Sequence, residues 1–138
     1  MEEKLKEIPV IESSIEIPDL SEFSNTQAKI EGWEIKEVKS FWNPETKQKI
    51  EEPILVNKLR IYTEVITHGK KDGRDFEIRA STLIPMKKNK FGEVGISSNP
   101  NSTIQKLFQK LRINKLSEIK DRFVDIFLDE SRYLRIVI

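Results

Sequence analysis

Two stretches of alternating apolar and polar residues, on either side of a glycine-containing segment, constrain the fold of this chain most strongly. In residues 55–67, every second residue is expected to face inward: Leu59, Ile61, Thr63 and Val65. The residues between them are expected to face outward: Lys58, Arg60, Tyr62 and Glu64. Residues 74–84 alternate in the same way: Phe76, Ile78, Ala80 and Thr82 against Asp75, Glu77, Arg79 and Ser81. A period of two indicates β-strands with one buried face. The turn expected at residues 68–73 joins them into a hairpin.

The rest of the chain supplies three more strands and one helix. Residues 32–42 are rich in aromatic and branched residues and predict the first core strand, and Trp33, like Phe76 later, is expected in the core. Residues 47–53 and 85–100 are expected to be loops. A helix capped by Asn101 or Ser102 carries an apolar stripe at helical spacing: Ile104, Leu107, Phe108 and Leu111. A short turn at residues 116–120 and strands at 123–128 and 133–138, joined by a turn at 129–132, complete the order β-β-β-α-β-β.

Charge divides the chain into two parts. Residues 1–31 hold eight acidic and three basic residues, net −5, and the remainder holds 15 acidic and 21 basic residues, net +6. We therefore expect an acidic, partly extended N-terminal arm (1–31), in which Ile15 and Ile17 fit an edge strand, before a mildly basic domain (32–138). Such asymmetry favours contact between the domain and a polyanion, although it also fits ordinary surface charge.

Composition narrows the function classes. The chain has no cysteine, which excludes disulfides and thiol-based sites, and its one histidine, His68, is expected to be solvated in a turn. We expect no metal, no small-molecule cofactor and no membrane association. The polar N-terminus predicts a cytoplasmic protein. The abundance of Lys, Glu and Ile leans toward a thermophilic source, although AT-rich mesophilic genomes also favour Lys and Ile.

The order of elements resembles that of OB-fold single-stranded nucleic-acid-binding proteins, a five-stranded barrel with its helix between the third and fourth strands. The resemblance covers residues 32–138 and extends to small phage, plasmid and archaeal proteins of similar layout, so it implies an archaeal or viral source. It is most apparent in the last third, from the helix at 102–111 to the aromatic-led final strand Tyr133-Leu134-Arg135-Ile136-Val137. It implies binding across the second and third strands and between two loops, here residues 43–53 and 129–132. Acidic residues in both loops would oppose a phosphate backbone.

Single-strand binding needs rings that stack on bases and cations that follow phosphates. The candidate binding residues are Trp42, Lys58, Arg60, Tyr62, Lys70, Lys71, Arg74, Arg79, Lys87, Lys88, Lys90 and Phe91. Each also fits an ordinary solvated surface. The resulting hypothesis is non-catalytic binding of single-stranded nucleic acid, DNA favoured over RNA, in replication or repair.

Two alternatives stay open. Pro18-Asp19 followed by Glu34-Ile35-Lys36 resembles the PD…ExK pattern of metal-dependent nucleases, with Glu7 as a further carboxylate. Such nucleases, however, need helices around a mixed sheet. The other alternative is a protein-interaction or assembly module, including a homo-oligomer, because a fold does not dictate function.

Overall fold

A computed structural model describes residues 14–43 and 46–138. Within them, strands dominate and one α-helix, α1 (Thr103–Leu111), lies between the eighth and ninth strands. The ten strands are β1 (Ile15–Glu16), β2 (Thr26–Asn43), β3 (Gln48–Thr63), β4 (Thr67–Lys71), β5 (Arg74–Ile78), β6 (Ser81–Pro85), β7 (Lys87–Lys88), β8 (Val94–Gly95), β9 (Phe123–Leu128) and β10 (Leu134–Ile136). The predicted mainly-β class is confirmed.

Five strands form a sheet that closes on itself in the order β10-β6-β3-β2-β9. All pairings are antiparallel except that between β10 and β6, which is parallel and joins Arg135 to Ser81. Strand β2 is long enough to pair with two different strands, one after the other along its length. Residues 26–29 pair with β9, and residues 30–43 pair with β3.

The inward face of the closed sheet and the apolar stripe of α1 form one core. Leu59, Ile61 and Thr63 are fully buried, as the period of two predicts. On α1, the buried residues are Ile104, Leu107 and Phe108. Ser102 caps the helix by accepting a hydrogen bond from the Gln105 N–H, as predicted. No helix in the described part of the chain is long and apolar enough to cross a membrane.

The first core strand begins at Thr26, six residues before its predicted start, so the expected boundary between residues 31 and 32 falls inside β2. Ile30 is completely buried, and its N–H donates to the Arg122 carbonyl. Polar side chains at Gln27 and Lys29 conceal this part of the strand in the sequence. The short edge strand expected near Ile15 is present as β1, which pairs with β4. Residues 1–13 of the expected arm lie outside the described residues.

The loop expected at residues 47–53 is instead the beginning of β3, which pairs with the end of β2. We call residues 37–43 and 48–57 the ribbon, because they pair with each other and with no third strand of the described chain. Both faces of the ribbon contact solvent, so its residues need no apolar alternation. Pro53 lies in the register irregularity between the pairs Ser40–Ile54 and Trp42–Lys49, where no ladder hydrogen bond from its nitrogen is required.

The turn expected at residues 68–73 is shorter than predicted. Residues up to Lys71 belong to β4, and only Asp72 and Gly73 form the turn, with φ of 52° and 79°. Two positive φ angles match a tight type I′ hairpin turn. His68 is therefore an exposed strand residue opposite Glu77 and not a turn residue.

Three further predictions change between residues 74 and 100. The strand expected at residues 74–84 is divided into β5 and β6, with Arg79 and Ala80 between them. Phe76 is half-buried across from Gly69, where a Cβ atom would collide with its ring. The loop expected at residues 85–100 contains the small hairpin of β7 and β8.

Trp33 was expected in the core and is 42 % exposed. It lies opposite the buried Ile61 and shares its face of the sheet. Strand β9, however, pairs with β2 only as far as Lys29. Trp33 therefore lies past the point where the sheet closes.

Two leucines on the same strand and the same face test this description of the core. Leu59 is completely buried and Leu55 is 64 % exposed. We expect Leu59→Ala to lower the free energy of unfolding by about 2–5 kcal/mol and Leu55→Ala to change it by less than about 0.5 kcal/mol. Urea denaturation of both variants measures this, and equal losses would contradict the assignment.

Candidate nucleic-acid interface

The outward face of β3 carries three candidate residues in a row: Lys58, Arg60 and Tyr62. All three are half-buried and lie on the opposite face from Leu59 and Ile61. Their neighbours across the ladder are Lys36, Glu34 and Gly32 on β2 and Pro85, Leu83 and Ser81 on β6. The predicted outward direction of these side chains is confirmed.

Tyr62 is the centre of a charged cluster and is not an open stacking platform. The guanidinium carbons of Arg60 and Arg79 lie 4.9 Å and 5.6 Å from the centre of its ring, within cation–π distance. Gly32 leaves room for the ring, since a Cβ there would stand 3.1 Å from the Tyr62 hydroxyl oxygen. Cations already contact this ring, so a base would have to compete with them for its faces.

Carboxylates in turn hold the two arginines of the cluster. Arg60 Nη1 lies 3.3 Å from Glu34 Oε1. Arg79 forms ion pairs with Glu31 and Glu77 and donates to the Thr63 carbonyl at 3.0 Å. A phosphate would therefore have to displace a carboxylate before it could bind either guanidinium.

A groove lies between the ribbon and the hairpin of β7 and β8, with a volume of about 770 Å³. It brings together four candidate residues that are distant in sequence: Trp42, Lys58, Lys87 and Lys88. Its apolar lining comes from Ile54, Leu55, Val56, Met86 and Val94. None of the ion pairs found among the described residues involves these three lysines. The groove thus combines an exposed indole ring, an apolar lining and cations available to an anion.

Lys90 and Phe91 stand at the tip of the hairpin that forms one wall of the groove. Phe91 is 77 % exposed, and Lys90 Nζ lies 5.1 Å from the centre of its ring. The Asn89 side-chain oxygen accepts hydrogen bonds from the N–H groups of Phe91 and Glu93, both at 2.9 Å. These bonds order the tip, so Phe91 is presented to solvent by a defined turn.

The other candidate cations, Lys70, Lys71 and Arg74, belong to the hairpin of β4 and β5. This hairpin follows the Tyr62 end of β3, whereas the groove lies at the Lys58 end. At about 3.3 Å per residue, Lys58 and Thr63 alone are separated by about 16 Å of strand. Acidic neighbours Asp72 and Asp75 also share the small depression lined by Lys71 and Arg74. The structure does not bring these three residues into the groove.

The sequence candidates omitted an aromatic group on the last two strands. A row of residues paired across neighbouring strands runs from Tyr62 on β3 through Ser81 on β6 and Arg135 on β10 to Phe127 on β9. The Tyr133 ring is 62 % exposed and lies 5.4 Å from the Arg135 guanidinium carbon. Its position at the head of the final strand is the sequence signal that could have identified it.

Asp129 in the last hairpin loop is not a free negative charge. Its carboxylate accepts hydrogen bonds from Arg135 Nε at 2.8 Å and from the Tyr133 N–H at 2.9 Å. The Arg135 hydrogen bond, followed by that from Tyr133, lowers the pKa of the Asp129 carboxyl below its usual value. The opposition expected between this loop and phosphate is therefore reduced by Arg135.

Asp19 and Glu34 of the nuclease pattern have other partners. Asp19 Oδ1 accepts from the Ser21 hydroxyl at 2.6 Å and from the Ser21 N–H at 3.0 Å, and these bonds lower its pKa. Glu34 pairs with Arg60, and Glu7 lies outside the described residues. Within residues 14–43 and 46–138, no three acidic or histidine side chains are grouped so that they could hold a metal ion.

Comparison with known proteins adds no relative from which a function could be transferred. No protein-family model, no curated protein and no solved structure matches the chain.

The role of Asp129 can be tested through pH. Its pKa is lowered in the folded state, so its contribution to stability is present above the unfolded pKa and is lost as pH falls through the folded pKa. We expect Asp129→Asn to be less stable than the wild type at neutral pH and the difference to shrink on acidification. Urea denaturation at neutral pH and at acidic pH measures the difference in free energy of unfolding between variant and wild type, with Glu130→Gln as control. A difference that persists in acid would contradict the assignment.

Proposed function

We propose that this protein binds single-stranded nucleic acid without catalysis, DNA in preference to RNA, and that its closed sheet is an OB-type barrel. Two features support the fold assignment. Five strands close the sheet, and α1 lies between its third and fourth strands, β6 and β9, in chain order. OB-type barrels bind oligonucleotides on the face of their second and third strands, which here correspond to β3 and β6.

The groove carries this proposal. Aromatic side chains stack on bases of any sequence, and nearby cations follow the phosphates. Trp42 is 48 % exposed and lines the same groove as Lys58, Lys87 and Lys88. The apolar side chains between them would contact the faces of bases that leave water.

We expect the two ends of the outward face of β3 to contribute unequally to the affinity for nucleic acid. At the groove, the lysines are available to phosphates. At the Tyr62 end, Arg60 and Arg79 are already neutralised by carboxylates. Exchanging one anionic partner for another yields little net electrostatic energy, so most of the salt-dependent affinity is assigned to the groove.

Protein–protein assembly is a second candidate function, and one observation favours it. Trp33 and Ile35 are 42 % and 53 % exposed on the inward-side face of β2, which is the opposite face from Lys58 and Tyr62. Apolar side chains that no other part of a fold covers are typical of interaction surfaces. This surface does not line the groove.

The role of Trp42 is tested by titrating the protein with oligo-dT at low salt and following tryptophan fluorescence. We expect quenching in the wild type, and a loss of about 1–3 kcal/mol in binding, roughly 5- to 150-fold in Kd, in Trp42→Leu. Trp33→Leu, which alters the other tryptophan, should retain wild-type affinity. Parallel titrations with RNA and duplex DNA test the preference. Unchanged fluorescence with no mobility shift for any of the three would overturn the proposal.

The lysines are tested through the salt dependence of binding. We expect Lys87→Ala/Lys88→Ala to flatten the plot of log K against log salt by about 0.7 for each phosphate that the variant no longer neutralises. The matched control is Lys106→Ala/Lys115→Ala, which removes two exposed lysines that do not line the groove. Equal slopes for the two double variants would indicate nonspecific attraction and would contradict a path along the groove.

A further inference from the structure

Strand β2 has an open edge beyond the point where the sheet closes. Residues 32–40 pair with β3 on one side, and pairing with β9 on the other side ends at Lys29. No strand within the described ranges pairs with this edge. Its side chains from Trp33 to Glu37 are all exposed. An uncovered edge of this length presents backbone donors and acceptors to another strand.

The side chains at this edge have a different character on each face. Trp33 and Ile35 lie on the face that buries Ile61 and Leu59, their ladder neighbours on β3, yet both remain exposed. An added strand would extend the sheet at this point and cover them. This is the apolar contact that an open edge needs in order to bind a partner stably.

The opposite face carries charges of both signs. Glu34 pairs with Arg60 across the ladder. Lys36 lies directly opposite Lys58, and none of the ion pairs among the described residues includes it. Like charges directly opposite each other destabilise a sheet. A carboxylate arriving on the open side of Lys36 would offset this repulsion.

We propose that the occupant of this edge is a second copy of the chain, paired antiparallel over residues 32–38 with the twofold axis at Ile35. In this register Ile35 lies opposite the partner's Ile35, and Glu34 lies opposite the partner's Lys36. Twofold symmetry repeats the second contact, so each Lys36 gains a carboxylate neighbour. On the face of the Ile35 pair, each Trp33 lies opposite the partner's Glu37, so its ring packs beside the isoleucines and against the stem of that side chain. The two ion pairs form on the other face.

The other registers are less favourable. Centring the axis on Glu34, Lys36, Glu37 or Lys39 would place two identical charges directly opposite each other. Centring it on Trp33 would extend the pairing into the irregularity between Ile30 and Gly32, and centring it on Val38 would extend it into that between Ser40 and Trp42. Charge and strand regularity together select Ile35.

The proposal is independent of nucleic-acid binding. The groove lies between the ribbon and the hairpin of β7 and β8, and residues 32–38 do not line it. A dimer through the β2 edge would keep both grooves accessible. Loss of dimerisation and loss of oligonucleotide binding can therefore be observed separately.

A cysteine-scanning experiment tests the register directly, because the chain has no cysteine of its own. Directly opposite Cβ atoms in an antiparallel ladder are about 4.5–5.5 Å apart, close to the distance a disulfide requires. We expect mild oxidation of Ile35→Cys to yield a disulfide-linked dimer. Ile17→Cys is the matched control, because Ile17 is 56 % exposed and Ile35 is 53 % exposed. It should stay mostly unlinked.

Sedimentation equilibrium tests the assembly without any crosslink. We expect the mass of two chains for the wild type and for Ile17→Arg, and the mass of one chain for Ile35→Arg, which places two arginines opposite each other at the axis. Circular dichroism confirms that both variants fold. A monomeric wild type at the highest soluble concentration would overturn the proposal. So would a dimer that Ile35→Arg leaves intact or in which Ile35→Cys links no better than Ile17→Cys.

Discussion

The rest of this structure depends on strand β2 pairing with two different neighbours along its length. Its first residues pair with β9 and close the sheet, which places Ile30 in the core. From Ile30 onward β2 pairs with β3 alone, and beyond Lys36 the two strands continue as the ribbon with no third strand beside β3 in the described chain. One long strand therefore closes the core, supports one wall of the groove and leaves an edge open.

The sequence correctly predicts the elements that bury one face and expose the other. Helix α1 and strand β9 have bounds close to those expected, because an apolar stripe and a cap identify them without reference to the rest of the fold. Residues 48–53 of the ribbon were expected to be a loop, because both faces of the ribbon contact solvent and its stability comes from backbone pairing. Trp33 was expected in the core because of its size, but its burial depends on where β9 ends, which no local pattern records.

The candidate binding residues also separate into what the sequence predicts and what it does not. Trp42, Lys58, Lys87 and Lys88 were chosen for their type, and they line one groove because β3 and the small hairpin lie side by side. Arg60 and Arg79 were chosen for the same reason. Their carboxylate partners, however, come from β2 and β5 through the register of the strands. Residue type predicts which side chains can bind an anion, whereas register decides which ones are already paired.

Under the proposed function, this distinction explains how a chain with a net charge of only +1 would present a surface for a polyanion. Coulomb attraction falls steeply with distance in salt, over about 8–10 Å at physiological ionic strength. A bound strand therefore responds to the charges around its own path and not to the total. Ion pairs neutralise the arginines near Tyr62, and the groove lysines keep their charge. The local balance at the groove is more basic than the composition suggests, because its described lining holds three lysines and no aspartate or glutamate.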